Sequence, residues 1–327
     1  MRQQTDWVGF VLNHFIWFVL LLTLILFALF IPDYFTFSNI TNILIFASVL
    51  GVMVIGQSLV LIARKLDLSA EGTLSLVTVL AAWLMLPLRN FDAGQAGGIG
   101  WELNPAIVVP LILALGALIG FINGVLIMKL KMNFFIVTLA MQLVLRGGAL
   151  VISEGAIMPG TPDAFNWLGS GRFLDIVPVS VVTTLLMYVV FSYLMSSSRF
   201  GREVYAVGAN EEAARAAGFN PTRTVIIVYT ISGFLAAFAG WMLLGRLTSS
   251  VPNLGAGYTL NVVAAAVIGG VSLTGGEGSI IGAFAGVLLL ALGSALYAAQ
   301  KQEGEVLLLA PGPGQETGPA VREMLDR

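Results

Sequence analysis

The sequence predicts an all-α integral membrane protein, a polytopic helical bundle of about nine spans. Of its 327 residues, 57% are hydrophobic and 10% are charged, whereas soluble domains carry about 25% charged residues. The apolar residues are gathered in uncharged runs close to the roughly 20 residues that an α-helix needs to cross a bilayer. Charged residues separate nine such runs along the chain.

The nine predicted spans follow one another over residues 1–299, which form the predicted transmembrane domain. The first span is expected to remain as an anchor, because its apolar core is too long for a signal peptide and residues 31–33 lack a small-residue cleavage pattern. The eighth is the shortest. The predicted spans are residues 7–32, 34–63, 72–88, 106–128, 133–153, 176–195, 224–245, 260–273 and 279–299.

The composition excludes most enzyme chemistry. The chain has no cysteine and one histidine, His14, which excludes disulfide frameworks and cysteine nucleophiles and disfavours metal clusters and histidine-based triads. A net charge of −2 lacks the basic footprint of a nucleic-acid binder. No P-loop sequence Gly-x-x-x-x-Gly-Lys-Ser/Thr occurs. We therefore expect no enzyme activity and no cofactor, metal or ATP bound by this chain itself.

The distribution of Lys and Arg predicts the orientation, because cytoplasmic loops carry an excess of these residues. With the N-terminus in the cytoplasm, the cytoplasmic segments carry nine basic residues and the opposite loops carry three. The nine are Arg2, Arg64, Lys65, Lys129, Lys131, Arg199, Arg202, Arg215 and Arg223, and the three are Arg89, Arg172 and Arg246. We therefore expect a cytoplasmic N-terminus.

A short helix is predicted inside the long cytoplasmic loop 196–223. Asn210 is a good N-cap residue, and Glu211 and Glu212 place negative charge in the first helical turn. Gly218 is well placed to end the helix, and Pro221 follows it. The sequence thus predicts a helix of about two turns held between two spans.

The same loop carries a family resemblance. Glu212-Ala213-Ala214, three further residues and Gly218 form the Glu-Ala-Ala-x-x-x-Gly pattern of permease subunits of ABC importers. The surrounding segments resemble the branch that imports monosaccharides such as ribose, xylose, arabinose and galactosides. The matching segments are residues 67–69, 120–124, 135–139, 146–147, 199–210, 257–258 and 264–276, within about residues 33–299.

The resemblance implies a fold, partners and a site. The family usually has ten spans in two related halves. Its members assemble with a cytoplasmic ABC ATPase that hydrolyses the ATP, a periplasmic or lipid-anchored sugar-binding protein, and a second permease copy, identical or not, in the bacterial inner membrane. The ATPase would be contacted by Glu211, Glu212, Ala213, Ala214, Arg215 and Gly218. An ordinary amphipathic surface helix is the alternative interpretation of this segment.

Seven residues are candidates for lining the pathway or packing the spans, namely Gln57, Asp67, Ser69, Glu71, Asn123, Gln142 and Arg146. Asn123 lies in a Gly-x-x-x-Gly segment, so bracing a neighbouring helix is favoured over binding a sugar hydroxyl. Arg146 is the one charge well inside a run, and solute contact, snorkelling and pairing with a carboxylate all stay open.

Asp67 and Glu71 would share a helix face, since they are four residues apart. The family usually has a small residue where Glu71 stands. Glu277 precedes a glycine before the ninth span as Glu71 does before the third. We favour the interpretation that all three acids complement a helix dipole.

The last segment, residues 300–327, departs from the family. It holds eight charged residues among several Gly and Pro, and its longest apolar run is five residues long, against the roughly 20 that a span requires. We predict a poorly ordered tail that does not cross the membrane. This predicts an altered or truncated ten-span permease, with a shifted reading frame near its end as one hypothesis.

The polar residues alone do not select a sugar. A nucleoside or another small polar solute would suit the same hydrogen-bonding groups. An ion-coupled secondary transporter is a weaker alternative, because such carriers usually place several ionisable residues within the membrane. A membrane enzyme is weaker still, because it would need paired carboxylates or a His cluster at a membrane face.

Overall fold

The computed structural model describes residues 15–31, 34–88 and 95–309, with side chains to residue 294. The helices are α1 Phe15–Phe30, α2 Phe37–Ile62, α3 Ala70–Met85, α4 Pro105–Met128, α5 Phe134–Ser153, α6 Asp163–Ser170, α7 Val179–Ser197, α8 Arg199–Ala209, α9 Glu211–Ala216, α10 Pro221–Leu247, α11 Tyr258–Ile268 and α12 Ile280–Leu309. The strands are β1 Met158–Pro159, β2 Arg172–Phe173, β3 Val177–Pro178 and β4 Ser249–Ser250.

Each of the nine predicted spans coincides with a helix, which confirms the all-α fold class. Within the described residues, five helices are long and apolar enough to cross a membrane by themselves: α2, α4, α5, α7 and α10. The remaining spans correspond to α1, α3, α11 and the first half of α12, whose described apolar parts are shorter. His14 and the N-terminal segment lie outside the described residues.

Two of these helices are much shorter than a bilayer. At 1.5 Å per residue, α3 with 16 residues is about 24 Å long and α11 with 11 residues is about 16 Å long, against a hydrocarbon core of about 30 Å. A non-helical segment precedes each of them, residues 63–69 before α3 and residues 251–257 before α11. Contacts place both starts partway along the long helices: Asp67, just before α3, accepts a hydrogen bond from Ser232 in the middle of α10, and Glu71 of α3 accepts one from the first turn of α11.

The same order of elements occurs twice, in opposite directions. A long helix, a non-helical segment, a short helix and another long helix form α2, α3 and α4 in the first half and α10, α11 and α12 in the second. The halves exchange partners, because α4 packs along α10 and α12 packs along α2. This arrangement matches the two related halves that the family resemblance implies.

The core of the bundle is formed by α2 and α10. From Ala47 to Ala63, every residue of the α2 region is buried, so this helix is enclosed on all sides rather than amphipathic. Glycines allow the close approach of α4 to α10: a Cβ at Gly120 would collide with the carbonyl oxygen of Tyr229, and one at Gly116 with that of Gly233.

The two ends of the bundle differ. One, the α9 end, contains α8, α9 and the loop 272–278, whose Gly276 N–H donates to the Ile62 carbonyl at the end of α2 (2.8 Å). The other, the strand end, contains α6 and the strands. There β1 pairs antiparallel with β4 and β2 with β3, so the long loop after α5 is fastened to the segment after α10.

The final helix differs from the sequence prediction. Residues 300–309, assigned above to a poorly ordered tail, continue α12 to Leu309. Lys, Gln, Glu and Leu are good helix formers, and one glycine, Gly304, interrupts the stretch 301–309. The rest of the predicted tail, residues 310–327, lies outside the described residues.

Candidate functional site

The two short helices meet by their N-termini, at a level between the two ends of the bundle. Glu71, in the first turn of α3, accepts a hydrogen bond through Oε2 from the Thr259 backbone N–H in the first turn of α11 (3.2 Å). The residue preceding α11, Gly257, has φ +86° and offers no side chain to cap the helix. Glu71 therefore caps the N-terminus of another helix, where a carboxylate also complements the helix dipole.

Arg146 on α5 completes this contact. Its Nη1 lies 3.7 Å from Glu71 Oε1, and its Nε donates to Asn253 Oδ1 at 3.1 Å. The Glu71 side chain is 8% exposed and that of Arg146 is 37% exposed. The ion pair therefore joins a buried carboxylate to a partly exposed guanidinium. The carboxylate pairing that the sequence left open for Arg146 is the one observed.

The non-helical segment 251–257 is attached to α3 by further contacts. Ser75 Oγ donates to the Pro252 carbonyl, and Gly255, at φ +81°, packs against the Leu74 side chain. Glu71, Ser75, Gln142, Arg146 and Asn253 surround one narrow cavity. In this conformation the cavity does not admit a water-sized molecule, so the segment is held closed against α3 and α5.

A second polar cluster, here called the Asp67 cluster, lies nearby and is fully buried. Asp67 Oδ1 accepts from the N–H and Oγ of Ser69 (2.9 and 2.6 Å), and Oδ2 accepts from Ser232 Oγ (2.8 Å). Asn123 Nδ2 donates to Ser69 Oγ at 2.8 Å. These four residues are at most 2% exposed. They join the segment before α3 to α4 and α10.

The expectation that Asp67 and Glu71 share a helix face was wrong. Asp67 precedes α3, which begins at Ala70, because its carboxylate accepts the N–H two residues on and forms a local turn instead of a helical turn. Glu71 points to α11, whereas Asp67 points to Ser232 on α10. Glu71 lies in the first turn of α3 and also at the N-terminus of α11, so its carboxylate complements the dipoles of both helices.

The structure separates the seven candidate residues into three sets. Glu71, Gln142 and Arg146 line the narrow cavity. Asp67, Ser69 and Asn123 belong to the Asp67 cluster, where Asn123 donates to Ser69. Gln57 is 1% exposed on α2, and its Nε2 has no hydrogen-bond partner among the described residues. Their roles in transport stay predictions.

Sequence reasoning missed Ser75, Ser232, Asn253 and Thr259. The three hydroxyl residues stand singly among apolar neighbours, where no spacing distinguishes them from ordinary core Ser and Thr. Asn253 did have a signal: residues 249–257, Ser-Ser-Val-Pro-Asn-Leu-Gly-Ala-Gly, interrupt the apolar pattern between two predicted spans. Pro and Gly in such a break favour a non-helical segment.

The predicted short helix is α9, and its caps are the predicted ones. The Asn210 side chain accepts from the Ala213 N–H (2.9 Å). Gly218, at φ +86°, ends the helix, and the Phe219 N–H donates to the Ala214 carbonyl (3.0 Å), the hydrogen bonding of a glycine C-cap. Ala214 is buried and packs inward.

The outer surface of α9 is open. Glu212, Ala213, Arg215 and Gly218 are exposed, while Glu211 is partly buried. Glu211 lies 3.9 Å from Lys65 Nζ and 3.4 Å from Arg215 Nη2. Glu211, Glu212, Arg215 and Ala216 line an open depression of about 610 Å³. A small-residue surface with charges at its rim is therefore available to a partner.

Helix α8 fastens α9 to the core. Gly208 on α8 packs so closely against the Ile62 carbonyl of α2 and the Gly276 N–H that a Cβ would collide with both. Tyr205 donates its hydroxyl proton to the Gly278 carbonyl (2.8 Å), and burial raises the pKa of the Tyr205 hydroxyl, so this donor also persists above neutral pH. Thr224 on α10 donates to Glu203 (3.3 Å).

Fold and site together define a multi-pass membrane transport component, in which two shortened helices meet within a bundle of apolar spans. A family model described as the permease component of the branched-chain amino acid transport system matches residues 39–315. The chain therefore belongs to this family of permease components. Its match extends beyond Ala299, where the motif resemblance ended.

The curated relatives confirm the resemblance to sugar permeases of ABC importers and the expectation of a transport subunit rather than an enzyme. The ribose import permease of Escherichia coli K12 is 38% identical over 263 residues, which is 79% of this chain and 77% of that protein. The ribose import permease of Bacillus subtilis is 35% identical over 79% of this chain and 76% of its own length. The L-arabinose ABC transporter permease of Azospirillum brasilense is 36% identical over 83% and 77%. No solved structure matches the chain.

Proposed function

We propose that this chain is the membrane-spanning subunit of an ATP-driven importer for a monosaccharide, and that α9 is its docking site for a separate ATPase. The observation that carries the proposal is the way α9 is attached to the bundle. Its outer face is open, and α8 connects it to α2, α10 and the loop before α12. The names of the relatives, which import ribose and L-arabinose, support the solute class.

This attachment of α9 through α8 explains how motion of the ATPase would reach the spans. A displacement of α9 moves α8, and Gly208 transmits it directly to the end of α2 because no side chain lies between the two backbones. Since α2 is enclosed by its neighbours and packs against α10 and α12, a shift of this helix changes both halves at once. Packed interiors transmit such shifts with little compression.

The solute would pass the narrow cavity when the segment 251–257 moves away from α3. Gln142, Asn253 and the hydroxyl of Ser75 are neutral hydrogen-bonding groups suited to sugar hydroxyls. Glu71 and Arg146 neutralise each other's charge, so an uncharged solute meets no unpaired charge there.

The excess of basic residues at the α9 end supports the orientation proposed here, and the relatives support the partners. The α9 end would face the cytoplasm and the strand end the outside, where a sugar-binding protein would deliver the solute. A second permease copy would complete the pathway in the inner membrane.

Uptake in the native host tests this proposal. After deletion of the gene, we expect loss of ATP-dependent uptake of labelled ribose or L-arabinose, restored by the wild-type chain. Uptake of labelled uridine and leucine is measured in parallel, to test a nucleoside and a branched-chain amino acid as the solute. Loss of uridine or leucine uptake alone would reject the sugar assignment, and uptake that follows the proton gradient instead of ATP would reject the importer class.

A further inference from the structure

An open groove runs between α4 and α10 on the surface of the bundle. Its volume is about 800 Å³. The two helices are antiparallel here, since Gly124 lies against Ile226 and Gly120 against Tyr229. Lys129 and Arg223 therefore stand together at the α9 end, whereas Phe121 and Ile231 lie about eight residues deeper, or about 12 Å along the helices.

The two ends of the groove differ in chemistry. Lys129 and Arg223 are exposed, and neither forms an ion pair with an acid in the part of the chain that the structure describes. Asn220 and Thr222 add polar groups at the same level. The deeper part is lined by Phe121, Ile226, Ile227, Thr230 and Ile231, and the Thr230 hydroxyl donates to the Ile226 carbonyl of its own helix. No acidic residue lines any part of the groove.

We propose that this groove is a binding site for one anionic phospholipid from the leaflet at the α9 end. Lys129 and Arg223 would donate charge-assisted hydrogen bonds to the headgroup phosphate, and an acyl chain would lie along Phe121, Ile226 and Ile231. Basic residues at the membrane interface beside an apolar groove between spans have the complementarity that anionic lipids require. A free phosphate ion would leave the apolar part of the groove unused. The site does not depend on which solute the protein carries.

Lipid binding to the purified full-length chain tests the proposal, by native mass spectrometry with phosphatidylglycerol and phosphatidylcholine of identical acyl chains. Each basic residue near a membrane surface favours an anionic lipid by about fivefold, so we expect a preference of up to about thirtyfold in the wild type. The double variant Lys129→Gln/Arg223→Gln should lose this preference. The matched control Lys131→Gln/Arg202→Gln removes two exposed basic residues that do not line the groove and should keep it.

Two further arms identify the ligand. Ile231→Gln should weaken binding of both lipids, because it places an amide where the acyl chain would lie. Millimolar inorganic phosphate should not displace phosphatidylglycerol. The proposal would be overturned if the wild type bound both lipids equally or if phosphate displaced phosphatidylglycerol. It would also be overturned if the double variant kept the preference for phosphatidylglycerol, or if the control variant lost it to the same extent.

Discussion

Glu71 and Thr259 lie 188 positions apart in the sequence, yet the carboxylate of the first accepts the backbone N–H of the second at 3.2 Å. This single contact joins the N-termini of α3 and α11, the short helices of the two inverted halves. Arg146 holds the carboxylate in place from α5. A movement of one half relative to the other would either break this contact or move both residues together.

The first prediction concerns the Glu71 contact. Glu71→Ala removes the cap of α11 and leaves Arg146 without its carboxylate, so we expect a loss of about 1–3 kcal/mol in the free energy of unfolding. Glu71→Gln keeps an oxygen that can accept from Thr259 and should lose less. Thermal unfolding in detergent measures both variants. Glu277→Ala is the matched control, because Glu277 also precedes a glycine but is exposed; an equal loss there would contradict the capping role.

The second prediction separates bracing from solute contact at Asn123. Asn123→Leu removes the hydrogen bond to Ser69 within the Asp67 cluster, and interhelical hydrogen bonds in membranes contribute about 0.6–2 kcal/mol. We expect a lower melting temperature with an unchanged apparent KM for uptake. A raised KM without loss of stability would instead place Asn123 on the solute pathway.

The third prediction compares two glycines on neighbouring helices. Gly120→Ala would push a methyl group into the Tyr229 carbonyl, and overpacking of this kind costs about 1–3 kcal/mol. Gly147→Ala meets no atom within 4 Å and should be neutral or slightly stabilising, because alanine favours the helix. Unfolding measurements on the two variants check the difference, and equal stability would show that α4 can move away from α10 without cost.

The fourth prediction concerns Gly218 at the end of α9. Its φ of +86° strains any residue with a Cβ, but no other part of the described chain lies within 4 Å of that Cβ. Gly218→Ala adds the strain alone, whereas Gly218→Leu adds the same strain and a bulky group on the open face. We expect the Leu variant to insert normally but to lose ATPase copurification and uptake, and the Ala variant to keep most of both. Full ATPase recruitment by the Leu variant would show that α9 does not bind the ATPase.

The fifth prediction concerns orientation. A reporter that functions only in the cytoplasm should be active when fused near residue 210 and inactive near residue 165, because basic residues are concentrated at the α9 end. The reverse pattern would reject both the orientation and the proposed ATPase docking.

Local patterns in the sequence were sufficient for the positions of the apolar helices and for the caps of α9. A long uncharged run identifies a helix whatever its neighbours are, and Asn210 and Gly218 act on the backbone within a few residues of themselves. The Glu-Ala-Ala-x-x-x-Gly pattern and the dispersed motifs were likewise sufficient to identify the family. All these signals depend on short separations along the chain.

The tertiary structure alone decided which polar residues meet. Asp67 and Glu71 are four positions apart, yet one closes a buried cluster with Asn123 and Ser232 while the other caps α11. It also showed that α3 and α11 begin partway along the long helices, because the preceding non-helical segments are held by contacts from distant spans such as that of Ser75 with Pro252. Hydrophobicity determines that a helix lies in the membrane. It does not determine which helix packs beside it, because one apolar helix face resembles another. That choice depends on close packing at glycines and on hydrogen bonds between residues far apart in the chain.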